Sequence, residues 1–131
     1  MVFNGENVEQ NIVAAWMAFL FGALAGAVAG LLFHDEAWLG GYGSWRRRLM
    51  RLGHVAFFGI GFINLGFGLT VQALGLASSG IDDASFLLIV GLITMPLVCY
   101  LAAWKKGFRH LFIVPVGSVV VAVALTIFAL R

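Results

Sequence analysis

Four charge-free apolar runs constrain this chain more than any other feature: residues 12–33, 55–78, 84–104 and 111–130. Each reaches the roughly 20 residues that a helix needs to cross a hydrocarbon core about 30 Å thick. In lipid every backbone N–H and C=O must be satisfied internally, which leaves helices or a closed barrel. The runs are continuous rather than alternating, and that selects helices. They occupy most of the 131 residues. The expected fold is an all-α integral membrane protein, one domain over residues 1–131 with four transmembrane helices in an antiparallel bundle.

Composition closes off other classes. Hydrophobic residues make up 62% of the chain, against roughly 45–50% in soluble domains, and the mean hydropathy is +1.01. Eight Lys and Arg with six Asp and Glu are too few to clothe a soluble surface. A soluble enzyme, a disordered chain and a secreted disulfide scaffold are excluded. Cys99 is the single cysteine, so no intrachain disulfide and no cysteine-based zinc or iron–sulfur site can form. No domain exists to present the arginines to nucleic acid.

The basic residues set the expected direction of threading. Arg46, Arg47, Arg48 and Arg51 lie between the first two runs, and Lys105, Lys106 and Arg109 between the last two. Only Arg131 falls on the other side. The positive-inside rule then puts the first and third loops in the cytoplasm and both termini outside, as in a bacterial-type inner membrane. Glu6, Glu9, Asp82 and Asp83 fall on the outer side. The first run lacks a basic leader and a small-residue cleavage site, and is expected to be retained rather than removed as a signal peptide. Residues 34–50 combine Trp38, Tyr42 and Trp45 with glycines and arginines. That mixture suits the membrane–water interface, where the cluster is either the topogenic signal alone or also a contact for anionic headgroups.

Helix faces are organised in two of the runs. Ala14, Ala18, Gly22, Gly26 and Gly30 recur every fourth residue, a spacing that lets helix backbones approach closely and marks a packing seam, within the chain or onto a partner. In the second run His54, Gly61, Gly68 and Gln72 share one face, flanked by Gly53 and Asn64. Asn64, deep in the apolar run, is expected to hydrogen-bond another helix. Pro96, with Thr94 and Cys99 nearby, and Pro115, with Gly117 and Ser118, are structural features expected to kink their helices.

His34, His54 and His110 all fall near the expected cytoplasmic interface. His54 and His110 each have a glycine seven residues on, Gly61 and Gly117, on nearly the same helical face. Such side-chain-free walls suit a flat macrocycle, and Arg51 and Arg109 stand where haem propionates would need guanidinium partners. One expectation is therefore a b-type haem on iron ligands His54 and His110, with His34 as a substitute for either. The same residues also suit a metal site, His34, Asp35 and Glu36 joining His54 or His110, or a quinone headgroup. Equally, interfacial histidines end helices and bond to backbone or lipid. Residues 51–59 (Arg-Leu-Gly-His-Val-Ala-Phe-Phe-Gly) resemble the His-x4-Gly opening of membrane helices in haem–copper oxidase catalytic subunits. The histidine which those helices carry two positions earlier is Leu52 here, so the likeness is local.

The functional expectation is a small membrane subunit of a larger respiratory or redox complex, not catalytic alone, bound by lipid and by other membrane subunits. The alternatives are a cofactor-free accessory subunit and a small homo-oligomeric channel or transporter. The last is disfavoured because none of the runs contains an ionisable residue apart from Cys99 and Tyr100 near an end.

Overall fold

The computed structural model describes residues 6–131; residues 1–5, part of the tail expected outside the membrane, lie outside the described residues. Four α-helices follow in order: α1 Glu6–Leu32, α2 Trp45–Leu74, α3 Ser79–Trp104 and α4 Ile113–Ala129. A short 3-10 turn, Trp38–Gly40, lies between α1 and α2, and a longer one, Lys106–Phe112, leads into α4. All four, α4 with its lead-in, are long and apolar enough to span a membrane, and the described residues contain no strand.

The helices do not end where the apolar runs end, because capping chemistry sets their limits. α2 begins at Trp45, ten residues before its run, since the Ser44 hydroxyl accepts the Arg47 N–H at 3.2 Å. Its 30 residues rise roughly 45 Å, the full thickness of a bilayer with headgroups. Four arginines are thereby helical rather than in a loop. α2 stops at Leu74 because Gly75 takes the left-handed conformation, φ 60°. Ser78 then caps α3 by accepting the Ile81 N–H at 3.3 Å.

α1 packs on α2, α2 on α3 and α3 on α4, while α1 meets α3 over a shorter stretch. The approach of α1 to α2 can be followed residue by residue. Gly68 faces Ile12, Gly61 faces Phe19 and Ala18, Phe58 and Phe57 cover Gly22, and His54 covers Gly26. Residue numbers rise along one helix as they fall along the other. One core cluster joins Val8, Phe67, Val71, Ile81, Ala84, Leu88 and Ala122; a second joins Ala18, Ile60 and Leu92.

α3 runs unbroken through Pro96 as one helix. Pro115 stands in the first turn of α4, where the missing N–H has no helical acceptor to lose. Gly91 admits Val119, and α4 itself buries only Pro115 and Ala122. Its exposed residues, among them Ile113, Val116, Val120, Val121, Ile127 and Phe128, present an apolar surface suited to lipid.

A polar knot ties three helices together inside this apolar frame. Asn11 of α1 donates to Asn64 Oδ1 of α2 at 2.8 Å and to the Ser85 carbonyl of α3 at 3.2 Å. The Ser85 hydroxyl donates to Asn11 Oδ1. Asn64 in turn donates to the carbonyls of Ile60, at 3.0 Å, and Leu88, at 3.2 Å. Each amide is wholly buried and each finds partners.

Candidate functional site

His54 lies about two and a half turns into α2, at the end of the molecule that carries the arginines. Its Nδ1 is 2.8 Å from the Gly22 carbonyl of α1. A carbonyl oxygen can only accept, so Nδ1 carries the hydrogen. In the neutral ring that leaves Nε2 as a bare lone pair. The bond is possible because Gly26, one helical turn beyond Gly22, has no side chain. A Cβ there would collide with the imidazole Cε1 and come within 3.0 Å of both ring nitrogens. Phe58 meets the ring edge-on, centroids 5.4 Å apart and planes at 82°, and is itself stacked on Phe19.

The imidazole lies in a groove of about 260 Å³ lined by Gly26, Ala29, Gly30 and Phe33 of α1 and its extension, and by Arg51, His54 and Val55 of α2. Gly30 has nothing within 4 Å of where a Cβ would stand, which keeps the wall open. Arg51, three residues from His54, stacks its guanidinium 4.5 Å from the Tyr42 ring centroid and reaches the Tyr42 carbonyl at 3.4 Å. The groove thus joins one oriented imidazole, one guanidinium and an apolar wall left open at Gly30.

The loop beside it is built on Arg47. That side chain is buried, its Nε donates to the Trp38 carbonyl at 2.6 Å, and its terminal nitrogen donates to the Asp35 carbonyl. It also lies against the Phe33 and Trp38 rings. Of the arginine cluster, this member is consumed in holding residues 33–44 onto the start of α2.

The other expected site residues are distributed differently. His110 and Arg109 are exposed on the 3-10 segment that packs on α3 and α4, and neither lines the His54 groove. His34 is exposed at the end of α1, its Nδ1 against the Leu31 carbonyl. Gly61 is covered by Phe19, so its bare face serves helix packing, and Gly117 has open space beside it. Among the described residues no three His, Cys, Asp or Glu side chains gather, so His34, Asp35 and Glu36 do not form a ligand group with His54 or His110. Of the α1 row, Ala18, Gly22 and Gly26 meet α2, Ala14 borders a cleft toward α3, and Gly30 is free. Sequence reasoning missed Gly22 as the partner of His54, since a backbone carbonyl leaves no mark in a sequence. The chain matches no protein-family model, no curated protein and no solved structure.

Proposed function

We propose that this chain is a small integral membrane subunit of a larger redox complex, and that it contributes His54 as an iron ligand to a b-type haem near the cytoplasmic face. The reading rests on the His54–Gly22 bond. Histidines that ligate metals characteristically donate their second ring N–H to a carbonyl or carboxylate, which fixes the tautomer and aims the free nitrogen. His54 has that arrangement before any ligand is considered.

The surroundings support the same reading. Gly30 leaves room beside the ring for a flat group, and Arg51 suits an acidic substituent at the groove's mouth. A groove of about 260 Å³ is below the roughly 300–1,000 Å³ usual for ligand pockets. The opposite wall and the second ligand are therefore assigned to another subunit, which is why the chain is read as part of a complex. Bound there, the haem would supply one-electron transfer. The chain's own residues hold the imidazole in one tautomer, keep water away with Phe58, and offset negative charge through Arg51.

Orientation belongs to the same proposal. Seven of the eight basic residues fall on the side of the first and third connections, which supports an antiparallel bundle with both termini on the non-cytoplasmic side of a bacterial-type inner membrane. The test is a dithionite-reduced minus oxidised visible spectrum of the mildly solubilised native complex. A haem b band lost in His54→Ala and kept in Gln72→Ala is the expected result. A complex with no haem b, or a band unchanged in His54→Ala, overturns the haem reading in favour of a cofactor-free accessory subunit.

A further inference from the structure

We propose that the cleft between α1 and α3 binds one anionic phospholipid drawn from the leaflet on the basic side of the protein. The two helices are tied at Asn11 and Ser85, and toward their basic ends a cleft opens between them in two parts, of about 440 and 390 Å³. The parts adjoin at Phe21 and Phe57, whose rings lie 6.4 Å apart and line both. The larger follows α1 over residues 21–32, with Leu24, Val28 and Leu32 on one wall and Met50, Phe57 and Tyr100 opposite. That stretch of helix rises roughly 16 Å, the depth of one leaflet of a hydrocarbon core about 30 Å thick. The dimensions fit an acyl chain lying along α1.

Charge identifies the headgroup. Arg46 stands one helical turn before Met50 and so on the same face of α2, at the end of the cleft. Its guanidinium is 5.6 Å from the Trp45 ring centroid, and Lys106, arriving from the 3-10 segment after α3, is 5.3 Å from the same ring. Two exposed cations thus flank one indole where an interface would lie. Tryptophan is at home at that depth, and paired Lys and Arg attract anionic headgroups. Three helices wall the tail and two elements supply the charge, which separates this site from the general lipid contact of the outer faces. It does not rest on the reading of His54, whose groove has only Ala29 in common with this cleft.

The experiment is native mass spectrometry of the full chain released from micelles holding equimolar phosphatidylglycerol and phosphatidylcholine. One phosphatidylglycerol per chain is expected to be retained, preferred about thirtyfold from two interfacial cations. Arg46→Gln with Lys106→Gln removes the preference, and Ala25→Trp, which places an indole in the cleft, removes the bound lipid. Circular dichroism checks that both variants keep the helicity of the parent. Should Ala25→Trp not fold, the surface double variant decides alone. Equal retention of the two lipids by the parent chain, no retained lipid, or an unchanged preference in the double variant overturns the proposal.

Discussion

Asn11 and Asn64 meet amide to amide at 2.8 Å, with neither side chain exposed and fifty-three positions separating them in the sequence. In an apolar bundle such a bond fixes helix register, because a shift of either helix would break the bonds that the two amides make between helices. Ser85 brings α3 to the same point. Asn64→Leu keeps the branched outline but removes one of the acceptors of the Asn11 amide, which is left with Ser85 alone. It is expected to lower stability by about 1–2 kcal/mol, the upper part of the range for interhelical hydrogen bonds in membranes. Thermal unfolding in detergent measures the loss. The double variant with Asn11→Leu is expected to cost less than the two single losses combined, since the amides act as a unit.

Gly26 and Gly30 belong to one row of small residues yet respond differently to a methyl group. In Gly26→Ala the new Cβ enters the space of the imidazole, and a cost of about 1–3 kcal/mol is expected from overpacking. Gly30→Ala meets nothing and is expected to stay within about 0.5 kcal/mol of the parent. Equal effects in the same melting experiment would contradict the placement of His54 over Gly26.

Arg47 and Arg46 are neighbours with opposite fates. Arg47 is buried and tied to the carbonyls of Asp35 and Trp38, whereas Arg46 is exposed. Arg47→Ala is expected to free residues 33–44 and raise their rate of cleavage by added protease several-fold, because local opening loses its main restraint. Arg46→Ala is expected to leave that rate unchanged.

Gly91 tests how α4 is held. A Cβ at this position would come within 2.5 Å of Val119 Cγ2, and α3 is the principal helix that α4 packs against. Gly91→Leu is expected to detach α4 selectively. A spin label at Val119 would gain mobility while one at Phe58 would not.

The four long apolar helices were legible because charge is so costly in hydrocarbon that its absence marks each run. The helix ends were not, since Ser44, Ser78 and Gly75 act through hydroxyl and backbone geometry that hydropathy does not register. Asn64 was conspicuous as an amide in an apolar run, but Asn11 stood just before one and Ser85 is unremarkable within another. The row from Ala14 to Gly30 announced a seam without naming its partners, Phe57, Phe58 and His54. Gln72 shares a helical face with His54 yet is exposed. At Gly68 that face meets the Val8 carbonyl. His54 itself was visible as a candidate, while the carbonyl that orients it was not.

The most direct measurement is nitrogen NMR of the full chain, labelled with 15N-histidine and reconstituted in lipid nanodiscs, with His54→Ala used to assign the resonance. A hydrogen on Nδ1 and a bare Nε2, reversed or scrambled in Gly26→Ala, is the result expected of an imidazole held by Gly22 for use as a ligand. A hydrogen on Nε2 with Nδ1 bare would contradict it, because the Gly22 carbonyl would then have no hydrogen to accept.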